Sequence, residues 1–151
     1  MDYAKAQIEL VTDMLKQEYP VVYSMDVDED RCFLTADAIH GYVFSKNEIV
    51  IKPECLKRSN FENLKFKEVY DRGILLEATG DFRKVGKRTA VVYKSLYGDE
   101  IHLDKSFLKH FKGCDFLYTG GKKHNAGHAV CVYEMGKPVG LVLPLRGGSI
   151  E

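Results

Sequence analysis

The stretch 130–144, VCVYEMGKPVGLVLP, decides the fold of this chain. It holds two apolar runs rich in β-branched residues, separated by a turn sequence at 136–138 (GKP), and this pattern predicts a β-hairpin. The earlier stretch 31–45, RCFLTADAIHGYVFS, aligns with it without a gap, each residue matching one 99 positions later. The alignment therefore predicts one structural unit used twice. Its identical matches are Cys32 with Cys131, Gly41 with Gly140 and Val43 with Val142.

Length and composition favour a single globular domain. The chain has 151 residues, of which 45% are hydrophobic and 29% charged, with nine Tyr, eight Phe and no Trp. A chain of this length can bury a full hydrophobic core without disulfides or metals, and its aromatic residues favour strands. Because Lys plus Arg equals Asp plus Glu at 22 each, attraction to nucleic acid requires positive charge gathered on one face.

Cysteine spacing and apolar runs predict where the protein resides. The four cysteines include no Cys-x-x-Cys pair, and the first residues lack a basic region followed by an apolar core. No apolar run approaches the roughly 18 residues that a membrane helix needs. We therefore predict a cytoplasmic protein with reduced thiols, no cofactor, no bound metal and no membrane partner.

The first half predicts a helix followed by three strands. Apolar residues recur at helical spacing from Tyr3 to Glu18, with Pro20 ending the helix. The charged residues between them are expected to face solvent: Lys5, Glu9, Asp13 and Lys16. The predicted strands are 21–27, 32–35 and 42–45, with 48–52 as an extension of the sheet.

The middle of the chain predicts three further strands, at 64–70, 73–79 and 89–94, with turns at Gly80-Asp81 and Gly86-Lys87. The basic run 83–88 (RKVGKR) lies on one of these turns. Such a run can be a solvated loop. It can also contact phosphate, provided that other basic residues lie nearby in space.

The second half of the sequence predicts the same order of elements as the first half. A strand at 101–103 leads to Asp104 as the N-cap of a helix over 105–111, and a strand at 116–119 follows. The Gly-rich segment 120–127 then leads into the hairpin.

Two segments resemble the bacterial DNA sliding clamps, the β subunit of DNA polymerase III. The run 100–113 (EIHLDKSFLKHFKG), two strands and the ending GLVLPLR at 140–146 resemble the last segment of that family, in which a short helix precedes a final strand closing in Met-Pro-Met-Arg. The segment 33–43 (FLTADAIHGYV) resembles its Leu-x-Ala-Thr-Asp-Gly-x-Arg-Leu strand pair.

The resemblance implies an α+β fold of two α-β-β-β halves with pseudo-two-fold symmetry, like a single sliding-clamp domain with extra strands between the halves. In one domain spanning 1–151, the boundaries are a first half at 1–52, inserted strands at 53–98, a second half at 99–146 and a tail at 147–151.

Sliding clamps are non-catalytic, so the resemblance implies binding of duplex DNA or of a replication protein. Their helices carry positive charge toward DNA, and the corresponding residues here are Lys105, Lys109, Lys112, Lys5 and Lys16. Partner proteins of clamps insert a short motif beside the end of the last strand, which corresponds to Leu143, Pro144, Leu145 and Arg146. The small stand-alone form favours a phage or mobile-element origin, and a homo-oligomer is compatible with it.

A small enzyme or ligand-binding protein remains the alternative. It would use the Gly-rich loop 120–128 with His124 and His128. No Cys or carboxylate stands at ligand spacing beside these histidines, and the loop lacks a phosphate-binding signature, so neither a metal site nor a nucleotide site is predicted there.

Overall fold

A computed structural model describes residues 1–59, 61, 65–119 and 129–145. Within these residues it has two α-helices and ten β-strands. The helices are α1 (Tyr3–Leu15) and α2 (Phe66–Arg72). The strands are β1 (Val22–Asp26), β2 (Arg31–Thr35), β3 (His40–Ser45), β4 (Leu56–Arg58), β5 (Ile74–Val85), β6 (Arg88–Ser95), β7 (Glu100–Asp104), β8 (Asp115–Tyr118), β9 (Val130–Glu134) and β10 (Lys137–Val142).

All ten strands belong to one sheet, in the order β4-β1-β2-β3-β10-β9-β8-β5-β6-β7. Every neighbouring pair is antiparallel except β1 with β4. The predicted α+β class is confirmed, and so is the hairpin, whose turn places Gly136 at φ +80°. The segment assigned to inserted strands supplies β4, β5 and β6 to the same sheet and also contains α2.

The two helices cover opposite faces of the sheet. Helix α1 packs Ala6, Leu10 and Met14 into one hydrophobic cluster, which takes alternate residues of the central strands. Helix α2 packs Phe66 and Val69 into a second cluster. This cluster is formed by the other residues of the central strands, whose side chains point to the opposite face. Since side chains alternate across a strand, the central strands are apolar on both faces, as expected of a sheet covered on both sides.

The sheet curls until its far edge approaches its centre. Five strand spacings separate β10 from β7, about 24 Å in a flat sheet. Yet Leu145, three residues beyond the end of β10, donates its backbone N–H to the carbonyl of His102 in β7 at 2.8 Å. Three residues reach only about 10 Å, so the strands from β10 to β7 curve around the α1 side of the core. This curl brings the segment that follows β7 against β3.

Two predictions for the middle of the chain are wrong. Residues 66–72 form α2 instead of a strand, because Phe66 and Val69 lie three apart and bury one helical face in the second cluster. Gly80-Asp81 does not reverse the chain either. Gly80, at φ +86°, marks an irregularity in the β5–β6 register, and β5 continues to Val85.

One prediction for the second half and two for the first also need correction. The helix expected over 105–111 is only a 3-10 turn at Lys105–Phe107, followed by further turns to Phe111. Residues 46–48 form another 3-10 turn, so the segment 48–52 does not extend the sheet. Helix α1 ends at Leu15, earlier than its apolar spacing predicts.

The internal repeat is not confirmed. Strands β3 and β10 do lie side by side at the centre of the sheet, with Gly140 opposite Tyr42 and Leu141 opposite Gly41. Residues directly opposite each other share a face, so Gly140 faces the α1 side and Gly41 the α2 side. The ring of Phe111 accordingly covers Gly140, whereas that of Phe33 covers Gly41. The ungapped alignment thus matches residues on opposite faces.

Neither described helix reaches the length and hydrophobicity that crossing a membrane requires.

Candidate functional site

A basic pocket lies where the β5–β6 turn meets the end of β7. Its cavity measures about 550 Å³. Three cationic side chains and two hydroxyls face it, and such groups bind phosphate oxygens. The residues that line this basic pocket are Lys87, Arg88, Thr89, Asp104, Lys105, Ser106 and Phe107.

Asp104 organises the pocket wall from a buried position, being 3% exposed. Its Oδ1 accepts hydrogen bonds from the backbone N–H of Ser106 at 3.0 Å and from the Ser106 hydroxyl at 2.8 Å. Its Oδ2 accepts one from Nη1 of Arg88 at 2.7 Å. The predicted capping role of Asp104 is confirmed, although it caps a 3-10 turn. The single carboxylate fixes two groups that face the cavity.

Aromatic rings lie beneath two of the cations. The Lys105 ammonium is 5.2 Å from the ring centroid of Phe82, and the Arg88 guanidinium is 5.7 Å from that of Phe107. These are cation–π distances. Phe82 is 57% exposed, so one aromatic face of the β5–β6 hairpin stands beside the pocket in solvent.

The remaining cations of the 83–88 run are arranged differently. Nζ of Lys84 donates to the hydroxyl of Thr89 at 2.8 Å, while Arg83 forms an ion pair with Glu100 at 3.1 Å. Lys87 forms no salt bridge with any residue that the structure describes. The phosphate interpretation of this run required another basic residue nearby, and Lys105 is that residue.

A second group of charges lies between α1 and the sheet. We call it the Glu9 cluster: Glu9, Asp13, Asp37, His40, Tyr42, Lys109 and His110. Glu9 is its centre. Oε1 accepts from the Tyr42 hydroxyl at 2.7 Å and contacts Nε2 of His40 at 3.0 Å. Oε2 lies 2.8 Å from Nε2 of His110 and 3.1 Å from Nζ of Lys109. One carboxylate thereby ties α1 to β3 and to the turns after β7.

The imidazole of His40 makes contacts through both ring nitrogens and one ring face. Its Nδ1 lies 2.8 Å from Oδ2 of Asp37, while Oδ1 of Asp37 accepts the backbone N–H groups of Ile39 at 2.8 Å and His40 at 3.0 Å. The imidazole stacks on Phe107 with a centroid distance of 3.9 Å and an interplanar angle of 9°. Phe107 also lines the basic pocket, so the two sites share one ring between them.

The pKa values of the cluster follow from its contacts. Burial alone would raise the pKa of Glu9, but hydrogen bonds from His40, Tyr42 and Lys109 lower it to about 2. Burial would lower the pKa of His40, yet the carboxylates of Asp37 and Glu9 raise it to about 9. Burial also raises the pKa of the Tyr42 hydroxyl. At neutral pH the cluster therefore holds an ionised Glu9 against a protonated His40.

An apolar groove of about 580 Å³ runs beside α1, between Ile8, Val11, Phe44 and Val50. Its charged lining residue is Glu48. The lining contains no cationic side chain that could bind an anion. The groove is therefore not a second phosphate site.

The five lysines implied by the clamp resemblance lie in different surroundings. Lys105 enters the basic pocket, whereas Lys109 pairs with Glu9. Lys5 and Lys16 are about three-quarters exposed, each 4.0 Å from a helix carboxylate, Asp2 and Asp13 respectively. Lys112 is exposed in a turn.

The implied partner-binding segment is tied into the sheet. Leu143 donates its N–H to the Ile39 carbonyl at 2.8 Å, and Leu145 bonds to β7 as described. Leu143, Pro144 and Leu145 are each half-buried. Arg146 lies outside the described residues, and so do His124, His128 and the rest of the 120–128 loop.

Sequence reasoning missed the Glu9 cluster. Glu9 was expected to face solvent, but its side chain is 12% exposed because the curled sheet brings residues near 40 and 110 over it. A local signal existed in Asp37-Ala-Ile-His40, where an acid three residues before a histidine can bond its ring. The partner of that histidine is 31 residues away, and spacing alone does not reveal it.

Comparison with protein-family models, with curated proteins and with solved structures finds no match for this chain.

Proposed function

We propose that this protein binds duplex DNA through the phosphate backbone, with the basic pocket as its contact surface. The observation that carries the proposal is the convergence of Lys87, Arg88 and Lys105 on one open cavity with the hydroxyl of Thr89. Lysine, arginine and hydroxyl groups are the usual donors to phosphate oxygens.

Local charge supports this proposal better than net charge does. The chain has a formal net charge of zero, so no long-range attraction to DNA comes from the molecule as a whole. At the pocket, three cations face a single buried carboxylate, Asp104. The local charge at the pocket is therefore positive where a phosphate would bind, even though the chain as a whole is neutral.

The shape of the β5–β6 hairpin also supports DNA. Strand β5 pairs with β8 only over Ile74–Leu76, and its side chains from Glu77 to Lys84 are exposed. Strand β6, however, pairs with β7 from Ala90 to Lys94, so only the tip of the hairpin, residues 84–89, extends beyond the sheet as two strands. Basic side chains at this tip would reach the phosphates of a duplex that lies against it.

A relation to sliding clamps belongs to this proposal. The strand order sets two three-stranded meanders, β1-β2-β3 and β10-β9-β8, on either side of the β3–β10 pair, which is compatible with pseudo-two-fold halves. We accordingly propose a non-catalytic DNA-replication protein of phage or mobile-element origin. Encircling DNA would require several copies, so a homo-oligomer is part of the clamp-like version.

The test is a binding titration of a labelled duplex, repeated between about 50 and 200 mM salt. A variant with Lys87→Ala and Lys105→Ala removes two pocket cations. The matched control, Lys5→Ala with Lys16→Ala, removes the same charge from exposed positions on and just after α1. We expect the pocket variant to bind about tenfold more weakly and to lower the salt slope by about 1.8, whereas the control keeps the wild-type slope.

Three results would reject the proposal. Absence of wild-type binding at low salt would exclude DNA as the ligand. Equal losses of DNA affinity in the two variants would show that binding depends on overall charge and not on the basic pocket. A larger loss of affinity in the control would place DNA on α1.

A further inference from the structure

The Glu9 cluster contains a set of groups suited to a metal ion. Carboxylate oxygens of Glu9 and Asp13 and an imidazole nitrogen of His40 all lie within 4.8 Å of one another. The two acids are four residues apart on α1, so they occupy the same helix face. Mixed imidazole and carboxylate donors are typical of sites for zinc and other first-row divalent metals.

His40 is oriented as metal-binding histidines are. Its Nδ1 lies 2.8 Å from the Asp37 carboxylate, and two backbone N–H groups fix that carboxylate in turn. In metal sites, an outer carboxylate commonly holds the far ring nitrogen of a histidine ligand in this manner. The stacked ring of Phe107 restrains the imidazole further. Nε2 is thus directed at Glu9 and Asp13 by residues that are not ligands themselves.

A second imidazole lies beside the site, and an entry route is present. Nε2 of His110 lies 2.8 Å from Oε2 of Glu9, which brings a second imidazole to the same carboxylate. The side chains of Asp13 and Asp37 are about 30% exposed, so the site opens to solvent beside them. Lys109, which now contacts Glu9, is 60% exposed and can turn outward when another cation arrives.

We propose that Glu9, Asp13 and His40 bind one divalent first-row transition metal ion, with zinc the best fit, and that water fills the remaining position. Asp37 is a positioning residue that orients His40. The charges agree with this assignment, since two carboxylates and a neutral imidazole balance a doubly charged ion. The ion takes the place of the proton on Nε2 of His40, and that proton is released to solvent.

The experiment titrates the full, metal-stripped chain with Co²⁺, whose visible absorption reports its ligands, and then displaces the cobalt with Zn²⁺. We expect one ion per chain. Asp13→Asn removes a ligand that is 4.0 Å from His40 and makes no closer contact in the cluster, so this variant should fold and bind at least about tenfold more weakly. Asp37→Asn should weaken binding by about 10-fold to 100-fold. The matched control is Glu18→Gln, an exposed acid just beyond α1.

Failure to bind either ion would overturn the proposal. So would binding that Asp13→Asn and Asp37→Asn leave at the wild-type affinity, because the ion would then sit on other residues, such as cysteines or the remaining histidines. Circular dichroism of each variant without metal checks that a lost signal is not a lost fold. None of these readouts involves DNA, so this inference and the proposed function can fail independently.

Discussion

The Glu9 cluster and the basic pocket lie on either side of Phe107 and contain the same kinds of charged groups in opposite settings. In the Glu9 cluster, the central carboxylate is 12% exposed and lies within 3.1 Å of four polar groups of opposite or complementary character. In the basic pocket, Lys87 and Lys105 face open space. Removal from water makes each charge in the cluster depend on its partners, while solvent supports the charges of Lys87 and Lys105, which form no salt bridge with any described residue.

This difference assigns separate roles to the two regions. The cluster joins α1, β3 and the turns after β7, which are the three parts that the curled sheet brings together. Removal of one member of the cluster should therefore destabilise the fold, because it leaves a buried charge with fewer partners. The pocket lysines join nothing that the fold needs, so their removal should change binding and leave stability intact. Each prediction below compares the two regions.

The largest expected effect is that of Glu9→Gln. The substitution keeps the shape of the side chain but removes the charge that His40 and Lys109 contact, leaving the buried imidazolium of His40 with Asp37 as its remaining close carboxylate. We expect a loss of about 3–5 kcal/mol in the free energy of unfolding, measured by urea denaturation. Lys87→Ala in the pocket is the comparison. A loss below about 1 kcal/mol for Glu9→Gln would mean that the cluster is not what holds α1 on the sheet.

Glycine substitutions compare the two regions without changing charge. A Cβ on Gly140 would lie 2.3 Å from Cζ of Phe111 and 2.7 Å from the Gly41 carbonyl oxygen, so Gly140→Ala should cost about 3 kcal/mol through overpacking. Gly86, at the turn beside the pocket, has φ +63° with open space around it. Gly86→Ala should cost only about 1 kcal/mol of backbone strain. Thermal unfolding of both variants checks the order, and equal costs would contradict the packing around Gly140.

Alkaline pH should weaken the cluster next. The folded pKa of His40 is about 9, above its ordinary 6.5, so its stabilising charge is fully present below pH 6.5 and is lost as pH rises through 9. In metal-free protein with a chelator, we expect a decrease on the order of 2 kcal/mol between pH 7 and 10. Glu9 has its effect at acidic pH. Its pKa is lowered to about 2, so the stability that its charge contributes is lost as pH falls toward that value. His40→Gln should remove the difference at alkaline pH; an unchanged profile would show that other groups cause it.

The smallest expected change in stability belongs to the pocket. Lys87→Ala and Lys105→Ala should each alter the free energy of unfolding by less than about 0.5 kcal/mol, because neither ammonium is held in a salt bridge within the described structure. Both should weaken DNA binding. If either variant unfolds at a markedly lower urea concentration than wild type, the pocket has a structural role and the contrast with the Glu9 cluster fails.

The sequence predicted the strands well and the tertiary sites poorly, for physical reasons. Alternating apolar residues and the turn at Gly136 located the hairpin, and Asp104 was identified as a cap because capping is a local interaction. The assignment of 64–70 to a strand failed because the apolar spacing in so short a run fits either periodicity. The Glu9 cluster depends on contacts between residues near 9, 40 and 110, and only the curl of the sheet makes them neighbours. Lys105 likewise lies beside the basic run 83–88 only because of tertiary contacts that the sequence does not show.

Lysine footprinting in the presence of DNA tests the central claim most directly. The wild-type protein is trace-acetylated with and without a saturating short duplex, and the modified lysines are quantified by mass spectrometry. We predict that DNA protects Lys84, Lys87 and Lys105 at the pocket while leaving Lys5, Lys16 and Lys57 as reactive as in the free protein. Protection of Lys5 and Lys16 without protection of Lys87 and Lys105 would contradict the account, because DNA would then lie along α1 and the basic pocket would have no part in binding it.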